Sequence, residues 1–362
     1  MNKKLRLVTI LSLVLVMIFT TVQAISADEI ERREEIDFSP IVNQIINDYE
    51  DLYKLENFEF ETFSFKYNNE DYTGINVYVD MTLIKHPKDF EYFKGLKDGV
   101  EKLDNIEKME IEKDINARLE EIEKECYGVR DRSTFTYAVK TSDLSNKYTV
   151  KYSMNPLDKF YYRVDADEVT LYSANNLVKP NTEKDYNNGL METKNMLEKL
   201  QVQKIKSISR RRTYYDRIAA RNWALDNAYS EQEFPSSEVN GSDCANFVSK
   251  ALNEGGIPED RSGDWYRASH WGGWPGINWF RTGHNNNGGV VPYMVDNGYF
   301  YRERDESSIS AGCIMNWLDT SHVALVTYGD SVTIKYTEHG RRASRNTVYR
   351  PDSINVSFYN YY

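Results

Sequence analysis

The stretch GSDCANFVSKALNEGG, residues 241–256, contains one of only three cysteines in the 362-residue chain. Apolar residues recur three, four and seven positions after Cys244, which predicts a helix from Cys244 to Glu254 with the thiol on its apolar face. Asp243 is expected to cap this helix, and two glycines are expected to end it. The apolar face favours a core thiol, because free cysteine is among the most buried residue types. The first-turn position favours a nucleophile, because unpaired N–H groups and the helix dipole stabilise a thiolate there.

A nucleophilic thiol needs a base, and four histidines follow Cys244. His270 and His284 lie among loop-forming residues, which hold a base less firmly than a helix or a strand does. His322 opens the apolar run HVALVT, which predicts a buried strand, and His339 lies near the end of the strand that returns. The last two histidines are therefore the candidate partners of the thiol.

The register of these two strands decides which side chain orients His322. A two-residue loop at Asp330-Ser331 places His339 directly opposite His322, with Cβ atoms ~5 Å apart. A three-residue loop places the carboxylate of Glu338 there instead. The first register is preferred because aromatic residues of the two strands then alternate regularly. A cysteine on a helix, a histidine at a strand start and a polar partner on the next strand is the order of a papain-like cysteine hydrolase.

Residues 213 to about 345 resemble the putative amidase domain of exported Gram-positive proteins, a papain-like family related to cell-wall amidases and endopeptidases. The motifs that carry the resemblance are YDRIAARNWALDNAY, SDCANFVSKAL, the tryptophans that follow, HVALVT and the strand end EHG. The resemblance implies Cys244 as nucleophile, His322 as general base and acid, and His339 as the polar third member. It implies no cofactor and no metal, and the histidine spacing lacks a zinc pattern.

Two positions depart from the family pattern. Lys250 stands where glutamine is usual, and Gly312-Cys313 stands where a Gly-Asp pair normally precedes the histidine strand. Neither departure removes a catalytic group, although the second changes the loop before that strand. Four tryptophans of the region either line a groove for glycan or peptide or pack over the core; they are Trp265, Trp271, Trp274 and Trp279.

The first 27 residues have the pattern of a secretory signal peptide. Three cationic side chains precede an apolar run, and small residues at Ala24 and Ala27 offer cleavage sites. The run is short for a membrane anchor, which is the alternative. We therefore expect a secreted or cell-wall associated protein with no stable membrane span. Loss of the leader changes the formal net charge from −11 to −14, which disfavours a nucleic acid partner.

Composition and periodicity divide the remaining chain into three parts. Residues 28–175 predict a smaller α+β domain of sheet and helices, in which no catalytic constellation is visible. Residues 176–212 shift toward Asn, Lys and Glu, which predicts a linker that is partly helical. Residues 213–362 form the predicted papain-like amidase domain. The predicted fold class is therefore α+β, with the cysteine hydrolase domain at the C-terminal end.

These observations predict an exported cysteine-dependent amidohydrolase that cleaves a peptide or peptidoglycan-like amide through an acyl-enzyme. The alternative from another class is a non-catalytic cell-wall or peptide-binding module on a degenerate hydrolase fold. A third interpretation is transfer of the acyl group to an amine. A thiol of ordinary reactivity would favour the binding module, whereas a product with a new amide bond would indicate transfer.

Overall fold

The computed structural model describes residues 36–145, 155–166, 168–205, 214–232, 243–263, 265–267, 289–319, 322–350 and 354–362. The predicted signal peptide, His270, His284 and the later three tryptophans lie outside these residues. Within the described ranges, no helix is long and apolar enough to cross a membrane.

Helices and strands are interspersed along the chain. The helices are α1 (Ser39–Tyr49), α2 (Glu91–Val100), α3 (Asn105–Glu125), α4 (Thr141–Ser145), α5 (Glu183–Ile205), α6 (Arg217–Asn227), α7 (Cys244–Glu254) and α8 (Val290–Asp296). The strands are β1 (Tyr53–Tyr67), β2 (Glu70–Leu83), β3 (Arg130–Lys140), β4 (Phe160–Asp165), β5 (Val169–Ser173), β6 (Phe300–Glu303), β7 (Ile314–Trp317), β8 (Val323–Gly329), β9 (Ile334–His339), β10 (Ala343–Val348) and β11 (Val356–Tyr361).

The strands form one sheet in the order β1-β2-β3-β10-β9-β8-β7-β11-β6, and β4 and β5 branch from β3. Neighbouring strands are antiparallel except β3 and β10, which run parallel where Thr347 pairs with Thr134. Since β3 precedes residue 175 and β10 follows residue 213, the sheet runs through both predicted domains. The predicted mixed α+β class is confirmed.

Side chains of the C-terminal strands alternate between two apolar cores. Because successive strand residues point to opposite faces, Val323 and Leu325 of β8 lie in the core that also contains the apolar face of α7. Ala324 and Val326 lie in the core on the other face, together with Val164 of β4. One face of this sheet is therefore covered by helices, and the other is approached by the N-terminal part of the chain.

Helix α5 lies in the segment predicted as a partly helical linker, and it packs closely on α2. A Cβ at Gly95 would lie 2.0 Å from the carbonyl oxygen of Tyr186, and a Cβ at Gly189 would lie 2.1 Å from that of Tyr92. Glycine on both helices permits this crossing because neither has a side chain to separate the backbones. The segment is thus packed against the N-terminal helices.

Polar contacts also join the N-terminal part to the C-terminal strands. Lys335 of β9 is buried and donates to Asp131 of β3 at 2.9 Å. The Arg118 guanidinium of α3 donates to the carbonyl oxygens of Ile309 and Gly329 at 2.8 and 3.1 Å. Removing one partner of such a contact leaves a buried polar group unpaired, which costs several times the net value of the hydrogen bond. The two parts are therefore coupled in stability.

Candidate active site

Helix α7 begins at Cys244 and ends at Glu254, as its apolar spacing predicts. Gly255 follows as the C-cap, and Gly256 adopts a φ of +93° that residues with side chains rarely take, so the predicted end of the helix is confirmed. The Cys244 side chain is 3% exposed and lies in the core with Val323 and Leu325 of β8. The thiol therefore occupies the first turn of a buried helix, directly above the sheet.

The prediction that the Asp243 side chain caps α7 is wrong, because that carboxylate makes no cap hydrogen bond. Its Oδ1 accepts from the amide of Asn246 at 2.7 Å, and its Oδ2 lies 2.8 Å from Nδ1 of His339. A buried carboxylate is stable only with such partners. Asp243 thereby links the start of α7 to the end of β9, next to the cysteine.

His339 has oxygen acceptors at both ring nitrogens. Nδ1 faces the Asp243 carboxylate, and Nε2 lies 3.2 Å from the carbonyl oxygen of Asn227 in α6. The ring also stacks on Phe247 of α7, with 4.2 Å between centroids. A carbonyl oxygen and a carboxylate accept hydrogen bonds and donate none, so both contacts are satisfied when both ring nitrogens carry a proton. In this arrangement His339 anchors three elements, and both of its ring nitrogens face oxygen atoms that accept hydrogen bonds.

His322 immediately precedes β8, as predicted, and is held by a different carboxylate. Its ring is 0% exposed, and Nε2 lies 2.6 Å from Oε2 of Glu338, which is 1% exposed. The other oxygen of Glu338 accepts from the Ser344 hydroxyl at 3.2 Å. The Trp317 ring meets the imidazole edge to face at 4.7 Å. A carboxylate at Nε2 favours the tautomer with the proton there and the lone pair on Nδ1.

The predicted register, with His339 opposite His322, is wrong. Leu325 pairs with Thr337, and the ladder shifts between Val326 and Tyr328. Continued to the start of β8, this register places Gly340 opposite His322, so Glu338 reaches the ring diagonally, a distance that long side chains span. The carboxylate considered as the alternative partner is therefore the one in contact with His322.

The loop between β8 and β9 explains this register. It consists of the four residues 330–333. The Asp330 carboxylate stabilises this loop by accepting from the backbone N–H groups of Val332 and Thr333 at 3.1 and 2.8 Å. Its other oxygen accepts from the hydroxyls of Tyr328 and of Tyr53 in β1. A residue of the N-terminal part thus helps to set the hairpin that carries the two histidines.

Burial raises the pKa of Glu338, the neighbouring His322 opposes this shift, and Asp165 adds to it. Removal from water disfavours the ionised carboxylate, while an adjacent imidazolium favours it. The Glu338–His322 pair is therefore a buried pair of titratable groups in which the surroundings shift the pKa of the carboxyl group. Such shifts are common at functional sites.

The structure brings the three predicted site residues to one end of the sheet, where the two imidazoles are held by different carboxylates. Cys244 shares its core with Val323, the residue after His322, whereas Trp317 beside the His322 ring lies in the core of the opposite face. His339 is tied to Asp243 rather than to His322. Sequence reasoning missed the role of Asp243, although a carboxylate directly before the cysteine is visible in the sequence.

Trp265 and the two other cysteines lie in the packed interior. Trp265 is completely buried, donates to the hydroxyl of Ser249 at 3.1 Å and stacks on Tyr293, so it fills the core under α7 rather than lining a groove. Cys126 and Cys313 are free, buried thiols. Among the described residues, no group of three or more His, Cys, Asp or Glu side chains is arranged to hold a metal ion.

We expect alkylation to distinguish Cys244 from the two other thiols. Burial raises the pKa of Cys126 to about 12 and that of Cys313 to about 11, so both remain protonated at pH 8. Since only the thiolate reacts, iodoacetamide at pH 8 should modify Cys244 while the other two stay unlabelled in the folded protein. Site-resolved mass spectrometry measures this, with the urea-unfolded protein as the control in which all three react. Labelling of Cys126 or Cys313 ahead of Cys244 would contradict the expectation.

Gly340 lies where the two halves of the chain meet at the His322 ring. A Cβ at this position would lie 2.4 Å from the carbonyl oxygen of Asp165 and 3.2 Å from Cε1 of His322. We expect Gly340→Ala to cost about 1–3 kcal/mol, as overpacking of a core does, and to change the alkylation rate of Cys244 by displacing His322. Gly298→Ala is the control. Its φ of +72° makes this substitution strained as well, but the added Cβ has no atom within 4 Å and therefore displaces no side chain. Equal effects of both variants on the alkylation rate would count against the contact.

Residues 214–357 match the family model described as "Putative amidase domain". The matched segment includes Cys244 and both imidazole–carboxylate pairs. The predicted resemblance of the C-terminal part to an amidase domain is thereby confirmed, and the match indicates a hydrolase acting on amides. No curated protein and no solved structure matches the chain.

Proposed function

We propose that this protein is a cysteine-dependent amidohydrolase in which Cys244 is the nucleophile. The observation that carries the proposal is the position of this thiol in the first turn of a buried helix, within the segment that matches the amidase domain. The helix start is fixed from outside by the Asp243–His339 contact at 2.8 Å. A nucleophile must be held within about 0.5 Å of a productive geometry, and this contact supplies such support.

His322 is proposed as the general base and acid. Its Nε2 lies 2.6 Å from Oε2 of Glu338, a contact that orients the ring and favours the tautomer in which Nδ1 exchanges the proton. His339 is assigned a positioning role, because both of its ring nitrogens face oxygen acceptors. The pair His322–Glu338 thus replaces the pair His322–His339 that the resemblance implies, and the fold remains of the proposed papain-like type.

The reaction then follows the chemistry of a thiol hydrolase. The Cys244 thiolate attacks the carbonyl carbon, and the backbone N–H of Cys244 at the helix start is one donor for the oxyanion. His322 gives a proton to the leaving amine as the tetrahedral intermediate collapses to a thioester. The same imidazole takes a proton from water, which attacks the thioester and releases the carboxylic acid. No bond in this sequence requires a cofactor.

The proposed substrate is a peptide or peptidoglycan-like amide met outside the cytoplasmic membrane. The support for export is the signal-like pattern of residues 1–27. The formal net charge of −11 supports a partner other than nucleic acid, because like charges repel. The proposed localisation is therefore secreted or cell-wall associated.

The experiment is a screen of peptidoglycan fragments and synthetic peptide amides with the mature protein and its Cys244→Ala variant. With the wild type, mass spectrometry should detect a new amine and a new carboxylate from one amide. With Cys244→Ala, neither product should appear. Two observations favour the binding module: the low exposure of Cys244, 3%, and the position of Trp317, beside the His322 ring, in the core of the opposite sheet face. Retention of wall fragments without any cleavage would support that module and overturn the hydrolase.

A further inference from the structure

The N-terminal part of the chain contacts the segment that carries Glu338 and His339. At the end of β4, the carbonyl oxygen of Asp165 packs on Gly340, at the side where the His322 ring also lies. One residue further, Ala166 accepts a backbone hydrogen bond from Arg341 at 3.3 Å. Residues 163–166 precede the matched amidase segment by about fifty positions, yet Asp165 and Ala166 contact Gly340 and Arg341, directly after His339.

The Asp165 carboxylate is itself fixed by a buried guanidinium. Nε of Arg163 lies 3.0 and 2.9 Å from the two carboxylate oxygens, and Arg163 is 1% exposed. The same guanidinium donates to the carbonyl oxygen of Tyr137 in β3 at 2.8 Å and to Asn76 in β2 at 2.6 Å. An ion pair held from several sides on rigid strands cannot rearrange easily, so its charges act on the neighbouring groups from fixed positions.

We propose that Asp165 and Arg163 are positioning residues of the active site, through which the N-terminal part sets the orientation and charge of the His322–Glu338 pair. The inference rests on the proposed function only for the role of His322 as base. It assigns a function to the region in which the sequence shows no catalytic constellation. The amidase segment is therefore complete only when β4 packs against it.

The charged and titratable groups around Glu338 come from four directions. His322 lies directly before β8, and Tyr336 lies on β9 itself. Asp165 and its partner Arg163 lie on β4, and the Ser344 hydroxyl lies on β10. Asp165 contributes to the raised pKa of Glu338, after the larger effect of burial. The negative charge of Asp165 also favours a proton on the pair, because opposite charges attract across a dry interior.

The sign of the effect follows from these charges. Asp165→Asn removes a negative charge and leaves the Arg163 guanidinium uncompensated, so the imidazolium of His322 becomes less favourable and should titrate at a lower pH. Arg163→Gln removes a positive charge and should move the titration in the opposite direction. A variant with both substitutions should return toward the wild type. Mere loosening of the structure would not produce shifts of opposite sign.

The test is an NMR titration of His322 in the full-length mature protein, with its resonance assigned from its absence in His322→Gln. The matched control is Asp131→Asn, which removes another N-terminal carboxylate that contacts β9 through Lys335. We expect the Asp165→Asn titration to move to lower pH and the Asp131→Asn titration to stay at the wild-type position. Asp165→Glu, which keeps the negative charge, should return the titration of His322 at least in part to its wild-type pH.

The proposal would be overturned if His322 titrated at the wild-type pH in Asp165→Asn, or if Asp131→Asn moved that pH by the same amount. If Arg163→Gln does not fold, the two aspartate variants decide the question alone. A second readout is the alkylation rate of Cys244 at pH 6, which should fall about three- to tenfold in Asp165→Asn, because less imidazolium is then present to stabilise the thiolate. The NMR readout does not involve Cys244, so an unreactive thiol would refute the hydrolase without hiding the effect of Asp165.

Discussion

Replacing Cys244 with alanine is expected to lower amide hydrolysis by about four orders of magnitude or more. Removal of a covalent nucleophile leaves only the contribution of substrate binding and oxyanion donors, which is a small part of catalysis. The variant should fold, because alanine at a helix start keeps the helix and removes one sulfur atom from the core. Turnover of the best amide from the screen, followed by mass spectrometry, measures the loss.

The other two cysteines supply matched controls for this result. Cys126 and Cys313 are also buried and free, so Cys126→Ala and Cys313→Ala remove the same atom from comparable surroundings. Both variants should retain turnover within about threefold, apart from any loss of stability. A thioester adduct on wild-type Cys244, trapped by acid quench and absent from Cys244→Ala, would identify the intermediate. Undiminished hydrolysis by Cys244→Ala would exclude the thiol mechanism.

His322→Gln and His339→Gln are expected to fail in different ways. Loss of His322 should lower turnover by roughly 10²–10⁴-fold, the contribution of a positioned general acid and base. Each substitution leaves a buried carboxylate without its imidazole partner, Glu338 in one case and Asp243 in the other, which typically costs about 3–5 kcal/mol. Both variants should therefore lose stability, and His322→Gln should show the larger loss in turnover of the protein that remains folded.

Thiol reactivity separates the same two variants without a substrate. An ordinary thiol is only ~0.3% ionised at pH 6, so the proposed pairing of Cys244 with His322 should increase the fraction of thiol that reacts. Because a stabilised thiolate is also a weaker nucleophile, we expect a net loss of roughly tenfold in the alkylation rate of His322→Gln. Urea unfolding and iodoacetamide kinetics on both variants are the measurements. A tenfold loss in folded His339→Gln, with none in His322→Gln, would make His339 the base.

Local patterns predicted the elements that carry the site because the forces that form them act within one helical turn. The spacing after Cys244 defines α7 from its first residue to its last. The same local reasoning failed for Asp243. Its preferred partner is His339, a residue 96 positions away that no helical pattern reveals.

The pairing of β8 with β9 could not be predicted because it depends on contacts outside the hairpin. Asp330 shapes the loop with its own backbone neighbours, but it also accepts from the Tyr53 hydroxyl of β1, 277 positions earlier. A shift of the ladder between Val326 and Tyr328 then changes which side chain meets His322. A one-residue error in register exchanges the two faces of a strand, so the choice between His339 and Glu338 required the folded chain.

The sequence by itself determined that a cysteine begins an amphipathic helix, that a histidine opens a buried strand, and that residues 214–357 match an amidase domain. These are properties of spacing and residue type, which a linear chain already contains. Only the tertiary structure decided that Glu338 holds His322, that Asp243 holds His339, and that Asp165 approaches the site from the N-terminal part. Those contacts depend on strand register and on packing between distant segments, where long-range geometry rather than local preference sets the partner of each buried charge.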